Sequence, residues 1–521
     1  MYDKSKNLTR NVFSVCVALA LPGVFRSPNF DPTKTTDRFA AIAIIITILV
    51  LALLFSKRGR ALAAGLCARL ARFAARHAFA VSAAAFGLAL LFQALLIVNL
   101  NRDTDWDVLT IFDTATGQGD AVTATWYFSL YGALRPFFFA MHAYSSMISG
   151  LFGSSRETMY LAWYSLNAAC IDFSVIVAAL AAKAFFGRAA AYLSYYSGLL
   201  LIVFTTHMMT PYTDTFVMPF VALFLLFFSK LWRKESLAEG CARRPALWAF
   251  LLGASAAGIY LIKFSALVFL IAIVILGAFL LFKNRSRETL RKTVVLAAVF
   301  AAGVFVCLGA YKAYEQNQDI LVFDNDTQIP LTHHIMMGMH GTGGFNYDDV
   351  LATLSFPTAE EQKAFHYGEI KRTLKEYGLQ GAIRFYAQKY ELNISDGTML
   401  HWMGYDWQPE MPEGRLKDFL KSAFYPDFPR FGNYRFYSQA VWAATLLLAA
   451  AAYRKKGFAA TMLRLTLLGA LLYLLIFEGG RTRYMIQYLP CFMMLAALGL
   501  QSVGGFLGNI ARRSRADAGR P

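Results

Sequence analysis

The chain has 521 residues, of which 57% are hydrophobic and 16% are charged. Soluble globular proteins carry about 45–50% apolar and about 25% charged residues, so this composition excludes an ordinary soluble enzyme, a disordered chain and a fibrous repeat. It predicts a membrane protein with many spans. The net charge of +17 does not indicate nucleic-acid binding, because Lys and Arg crowd short loops that the positive-inside rule assigns to the cytoplasm.

Apolar stretches near the length needed to cross about 30 Å of hydrocarbon recur along the chain. We predict twelve spans, at about 11–25, 39–55, 79–100, 158–184, 189–209, 214–230, 246–262, 264–282, 293–311, 438–452, 460–477 and 485–505. A thirteenth candidate, 131–152, conflicts with the alternation of basic loops, and we expect it to lie along or dip into the outer surface. The predicted fold class is an all-α membrane protein with about 12 (11–13) transmembrane helices.

Basic clusters orient the predicted spans. The loops around Lys57 and Arg76, around Arg243, around Arg291 and around Lys455 are assigned to the cytoplasm. Alternation then places four segments outside, facing one another across one membrane surface: 101–130, 210–214, 312–437 and 478–484.

Three regions follow from this topology. Residues 1–311 form an N-terminal transmembrane module whose first exterior loop is 101–130. Residues 312–437 are the only sizeable polar segment, and we expect a small, mostly helical extracytoplasmic cap. Residues 438–521 supply the last transmembrane helices and a basic cytoplasmic tail.

Candidate acids stand in two exterior segments. Asp103, Asp105 and Asp107 follow directly on a predicted span, where carboxylates must be solvated, paired or metal-bound. They are either an acidic loop start that meets Arg102, or a general base or divalent-metal ligand placed where a lipid headgroup arrives. Asp214 closes a tight turn. Turn chemistry alone explains it, and a second acid for acceptor or metal binding is the alternative.

Candidate cations stand in the later exterior segments. Lys263 interrupts an apolar run, where it either snorkels or binds a phosphate. Arg481 and Arg483 occupy a short exterior loop, in which positive charge is disfavoured. Bidentate phosphate binding explains them, and pairing with Glu478 is the alternative.

Aromatic and histidine residues add weaker candidates. Tyr131 ends the run 126–131, which either belongs to an interfacial aromatic belt or stacks on a sugar. His333, His334 and His340 precede a glycine-rich stretch without HExxH spacing. We interpret it as a loop that closes over a cleft, with His333 and His334 as sugar or pyrophosphate ligands; a plain surface loop is the alternative.

These residues resemble the GT-C superfamily of multi-span glycosyltransferases, and within it the exosortase-G-associated glycosyltransferases of Gram-positive bacteria. The matching pieces, in chain order, are 107–115, 127–131, 211–214, 261–263, 334–338, 343–346, 483–484 and 489–490. The resemblance implies an essential acid on the first exterior loop, at Asp107 or alternatively Asp105, and a donor-phosphate ligand at Arg483. Such proteins often show Tyr-Pro-Asn-Asn where this chain has 131–134 as Tyr-Gly-Ala-Leu, which bears on acceptor choice.

The sequence thus predicts a polyprenyl-phosphate-dependent hexosyl- or pentosyltransferase in the cell membrane, with an extracytoplasmic active site. It would move a sugar to a cell-surface glycan, lipid or protein, with Asp107 as the base or acceptor-orienting acid and Asp105 assisting it. Arg483, Arg481 and Lys263 would bind the donor phosphate, and Asp214, Tyr131, His333 and His334 would assist.

The hypothesis includes a divalent metal ion as an alternative. If a divalent metal ion binds, Asp105, Asp107 and Asp214 are the ligands we expect, and no other cofactor is predicted. The rival functions are a lipid-linked glycan flippase or transporter and a surface-polysaccharide polymerase or ligase. A transporter would place charged residues near mid-membrane, whereas these residues stand at span ends.

Overall fold

A computed structural model describes residues 2–100, 106–232, 243–283, 286–399, 414–426 and 428–518. All regular structure within these ranges is helical. In chain order the α-helices are α1 (Tyr2–Arg26), α2 (Asp37–Phe55), α3 (Lys57–Arg76), α4 (Ala78–Asn99), α5 (Trp106–Ala115), α6 (Ala121–Leu130), α7 (Arg135–Phe152), α8 (Arg156–Phe186), α9 (Arg188–Gly198), α10 (Thr213–Phe216), α11 (Met218–Leu231), α12 (Arg243–Lys263), α13 (Val268–Lys283), α14 (Arg287–Asn317), α15 (Leu331–Met337), α16 (Tyr347–Leu354), α17 (Ala359–Ile394), α18 (Arg415–Phe424), α19 (Phe431–Ala451), α20 (Phe458–Ile476) and α21 (Leu489–Ala518).

Long apolar helices confirm the predicted class, an all-α membrane protein. Nine stretches within the described residues are long and apolar enough to cross a membrane. One of them, Arg244–Lys283, contains both α12 and α13, which a short 3₁₀ turn joins. The predicted count of twelve stays a prediction, since the helix at 39–55 has only part of its side chains described.

Two predicted stretches differ from continuous spans. The stretch 189–209 is α9 followed by a π-helical turn at Leu199–Val203 and a 3₁₀ turn at His207–Met209. π-Helical turns inside helices often accompany functional sites. Here the interrupted helix leads directly into residues 210–212, which precede α10. The doubtful stretch 131–152 forms α7, an 18-residue helix that starts at Arg135 and is not among the nine.

Close packing of α12 on α14 positions one of the site's cations. A Cβ on Gly253 would lie 2.0 Å from the Phe300 carbonyl oxygen, and a Cβ on Gly303 would lie 2.2 Å from the Phe250 carbonyl oxygen. Only glycine permits this approach, the small-residue packing typical of membrane helices. The contact fixes α12, whose last residue is Lys263.

The polar segment 312–437, for which we predict a cap, is mostly helical in its described part. Helix α14 continues past the predicted boundary to Asn317, and α15, α16, α17 and α18 follow. Helix α17 begins with a capping box between Thr358 and Glu361, which satisfies its first backbone N–H groups. Gly378, at φ 56°, kinks the helix, so its second half turns towards the last exterior segment.

Candidate functional site

The four segments predicted to share one membrane surface meet in a single cavity of about 310 Å³. Residues from α5, the segment before α10, the end of α12, the cap and the loop after α20 line its wall. The charged residues of this wall are Asp107, Lys263, Glu478, Arg481 and Arg483. With three cations and two carboxylates, the wall has a positive excess suited to an anion.

Asp107 lies in the first turn of α5, where a carboxylate favourably meets the helix N-terminus. The Tyr212 hydroxyl donates a hydrogen bond of 2.7 Å to Asp107 Oδ2. Tyr127 is buried near Asp107, and burial together with the negative charge of Asp107 raises its pKa well above the ordinary value. Burial and Asp107 raise the pKa of Tyr212 in the same way. Both tyrosines therefore stay protonated, and Tyr212 orients the carboxylate as a hydrogen-bond donor.

A buried ion cluster holds two of the predicted phosphate ligands. Lys263 Nζ donates a hydrogen bond to Asp214 Oδ1, and Arg483 Nε lies 3.4 Å from Asp214 Oδ2. Asp214 is 3% exposed and is not part of the cavity wall, while both cations are. We therefore assign Asp214 the role of a counter-ion behind the wall, in place of the acceptor or metal role expected from the sequence.

Aromatic rings fix the Arg483 guanidinium. Its carbon lies 4.4 Å from the Trp106 ring centroid and 5.3 Å from that of Tyr484, distances at which a cation is attracted to the ring face. Trp106 has a positive φ of 57°, which is rare for a bulky side chain and costs about 1–3 kcal/mol. The strain lies where α5 begins and brings the Trp106 ring over the cation.

Glu478 pairs with partners that the sequence did not suggest. It accepts a hydrogen bond from the Tyr484 hydroxyl, and His334 Nδ1 lies 3.7 Å from its Oε2. Burial opposes its ionisation, but these two partners and the charge of Arg481 outweigh burial and hold the pKa of Glu478 at about 2. Arg483 therefore pairs with Asp214 rather than with Glu478. Arg481 lines the cavity wall.

Sequence reasoning missed Lys389, which attaches the cap to this site. Lys389 is 1% exposed, and its ammonium donates hydrogen bonds to the carbonyls of Gly338, Leu475 and Phe477, the last at 2.7 Å. Three acceptors match the three donors of an ammonium group. Nothing in the local pattern of α17 marks this lysine, because its acceptors come from two other segments of the chain.

The remaining predicted residues have different surroundings. Tyr131 is half-buried in the cavity wall, where burial and the nearby Asp107 raise its pKa to about 12. His333 touches the same wall, but its Nδ1 lies 2.7 Å from Thr353 Oγ1 in a buried hydrogen bond. The first part of the predicted loop 333–344 belongs instead to the helix α15, which ends at Met337.

The metal hypothesis does not fit the described acids. Asp105 lies outside the described residues, and no three His, Cys, Asp or Glu side chains within them are grouped to hold a metal ion. Asp214 is already occupied by Lys263 and Arg483, whose positive charges would repel a divalent cation. We therefore derive no step through a metal.

The buried cluster makes a stability prediction. Asp214→Asn removes the carboxylate that pairs with two largely buried cations, and breaking such a pair typically costs about 3–5 kcal/mol. Lys263→Met removes one cation but keeps the Asp214–Arg483 contact of 3.4 Å, so we expect a smaller loss. Thermal unfolding of the purified protein in detergent ranks the two variants. An equal or larger loss for Lys263→Met would contradict the counter-ion role.

Acid is expected to destabilise the cap through His333. Burial, with the neighbouring His334 and His366 rings, lowers the pKa of His333 to about 3. Below about pH 6.5, His333 is therefore protonated in the unfolded chain but stays neutral in the folded chain. The free energy of unfolding consequently falls as the pH drops towards 3. Between pH 7.5 and pH 5, His333 alone lowers the free energy of unfolding by about 2 kcal/mol.

His333→Asn removes this proton uptake and should flatten the decline. Melting temperatures of wild type and variant at both pH values test it, and parallel declines would refute the assignment. His340 affects the pH dependence of stability in the opposite direction, because its hydrogen bond with Asp349 raises its pKa. The variant His340→Asn should therefore steepen the decline in stability.

The comparisons with known proteins place the chain in a family. The sequence profile of a family described as conserved hypothetical integral membrane protein matches residues 1–503. The chain belongs to this family, and it is a multi-pass membrane protein. No curated protein matches it.

Solved structures give a distant likeness. One is the crystal structure of ArnT from Cupriavidus metallidurans bound to undecaprenyl phosphate, with 13% identity over 82% of this chain and 78% of that chain and a TM-score of 0.33. The crystal structure of ArnT from the same organism in the apo state has 13% identity over 81% of this chain and 78% of that chain, with a TM-score of 0.32. At this level the reaction of ArnT does not transfer to this chain.

Proposed function

We propose that this protein is a glycosyltransferase that moves a sugar from a polyprenyl-phosphate donor to a cell-surface acceptor. The observation that carries the proposal is the cavity in which Asp107 faces the same space as Lys263, Arg481 and Arg483. A carboxylate able to take a proton and cations able to hold a phosphate are the two requirements of such a transfer.

The reaction is a single displacement. The acceptor hydroxyl oxygen attacks the anomeric carbon of the sugar, the bond between that carbon and the phosphate oxygen breaks, and the configuration inverts. Asp107 receives the hydroxyl proton, and the polyprenyl phosphate leaves with the electron pair of the broken bond. Arg483, Lys263 and Arg481 stabilise the charge that develops on this phosphate. Asp214 already fixes the positions of Lys263 and Arg483, and Trp106 also contacts Arg483.

The sequence supports a membrane side and a finer family for the proposed enzyme. Because basic loops lie at the opposite ends of the spans, we place the cavity on the extracytoplasmic face. Within the GT-C superfamily, the resemblance to the exosortase-G-associated glycosyltransferases supports a role in surface-polysaccharide biosynthesis. Asp105, outside the described residues, stays the alternative acid.

A reconstituted assay tests the proposal. Purified protein in detergent receives polyprenyl-phosphate sugars, each labelled in a hexose or a pentose, together with an envelope fraction from cells that lack the protein. Covalent label in the envelope fraction, with release of polyprenyl phosphate, supports the transferase. In proteoliposomes, movement of the intact lipid-linked sugar across the bilayer without covalent transfer would instead identify a flippase. Transfer of preassembled glycan chains in place of single sugars would identify a polymerase or ligase.

A further inference from the structure

A second concave surface lies on the cap next to the cavity. This surface, the cap groove, has a volume of about 630 Å³ and is formed by the segments 325–331 and 357–363. Binding sites for small molecules usually measure roughly 300–1,000 Å³. Gln328 and Ile329 line both the cap groove and the cavity, so the two spaces meet at these residues.

The junction includes residues 131–134, where this chain has Tyr-Gly-Ala-Leu instead of Tyr-Pro-Asn-Asn. A Cβ on Gly132 would lie 2.9 Å from the side-chain nitrogen of Gln328, so the Gln328 amide rests against the bare backbone there. The Ile329 backbone N–H donates to the Leu130 carbonyl at 3.3 Å. Gly132 and its neighbour Tyr131 also line the cavity, which places the junction beside the space that Asp107 faces.

The lining of the cap groove excludes two classes of ligand. Its charged side chains are one Asp326 and one Lys363, and the Lys363 ammonium is already paired with Glu360 at 2.8 Å. Without a positive excess, the groove does not suit a phosphate-rich polymer. Its apolar residues are interrupted by amides, a hydroxyl and a carboxylate, so they do not form the continuous apolar surface that the burial of an acyl chain requires.

Hydroxyl groups are the partners that this lining fits. The amide of Gln328 offers both donors and an acceptor, and the Asp326 carboxylate accepts. The Asn325 oxygen already accepts a 2.6 Å hydrogen bond from Arg135, which fixes the orientation of that amide. Pro330 and Pro357 add rigid apolar surface against which the C–H face of a sugar ring can pack.

We propose that the cap groove binds the acceptor and that the acceptor is an uncharged carbohydrate chain. The chain lies along the groove, and its terminal sugar enters the cavity past Gln328 and Gly132 to present a hydroxyl to Asp107. This inference rests on the proposed transferase function and adds to it the chemical class of the acceptor.

The test separates acceptor binding from donor binding. The double variant Asp326→Ala/Gln328→Ala is compared with the control Asp319→Ala/Gln380→Ala, which removes the same two residue types from exposed positions outside the groove. The acceptor is the envelope fraction from cells that lack the protein. We expect the half-saturating acceptor concentration to rise at least about tenfold in the groove variant, with the donor KM unchanged and with no change in the control.

Treatment of the acceptor fraction identifies its class. Periodate, which cleaves vicinal diols, should abolish acceptor activity, whereas protease digestion or delipidation should not. An unchanged acceptor requirement in the groove variant, or loss of acceptor activity on protease digestion or delipidation, would overturn the inference while leaving the transferase function standing. Absence of any transfer by the wild-type protein would instead overturn the transferase function itself.

Discussion

Replacing Asp107 with Asn is expected to slow sugar transfer at least about 100-fold, the lower end of what a general base contributes. Asn has the shape of Asp, and its side-chain oxygen can still accept the 2.7 Å hydrogen bond that Tyr212 donates. It cannot take the proton of the acceptor hydroxyl. The measurement is the initial rate at which label passes from a polyprenyl-phosphate sugar to the envelope fraction, with donor binding determined in parallel and expected to persist.

Asp113→Asn is the matched control for this variant. Asp113 lies on the same helix, α5, but its Oδ1 is 2.8 Å from Arg156 Nη1, and it is not part of the cavity wall. We expect this variant to transfer sugar close to the wild-type rate. Undiminished transfer by Asp107→Asn would remove the carboxylate from the chemistry, and an equal loss in both variants would point to damage to α5 rather than to catalysis.

Replacing Arg483 with Gln is expected to weaken donor binding by about 10–100-fold. Hydrogen bonds to charged groups contribute about 1.5–3 kcal/mol, and each 1.4 kcal/mol is a factor of ten. Arg483→Lys keeps the charge but loses the planar fork and the contact of 4.4 Å with the Trp106 ring, so an intermediate affinity is expected. Titration of the purified protein with a short-chain polyprenyl phosphate measures both.

Arg372→Gln controls for the loss of a positive charge. Arg372 is exposed on α17 and pairs with Glu369 and Glu376, so its removal should leave donor affinity unchanged. Because Arg483 also neutralises Asp214, melting temperatures define the range in which each variant is folded, and affinities are compared within it. A folded Arg483→Gln protein that binds the lipid phosphate as the wild type does would refute the assignment.

The sequence predicts the membrane frame and the meeting of its exterior segments. Continuous apolar runs specify the long helices directly, since their length matches the bilayer. Asp107, Lys263 and Arg483 stand at the ends of such runs, and the bias of basic loops places those ends on one side. Their convergence on one cavity therefore follows from chain topology and charge, before any side-chain geometry is known.

The pairing of charges could not be predicted in the same way. Neighbours in sequence suggest that Glu478 neutralises Arg481 and Arg483, yet packing brings Arg483 to Asp214 and Glu478 to Tyr484. Lys389 resembles any lysine on a cap helix until α17 docks on the segment after α20. These contacts arise between segments distant in the chain, and local patterns carry no information about them.

The carboxylate behind the cavity wall has a consequence for turnover. An enzyme whose leaving group is a lipid phosphate risks inhibition by its own product, because cations that bind the donor well bind the released carrier at least as well. In the proposed reaction, Asp214 would compete with that phosphate for Lys263 and Arg483, with which it already pairs, and it would need no diffusion to return. In the proposed enzyme it would thereby limit the residence time of the spent carrier, and the lipid would go back to the bilayer for recharging.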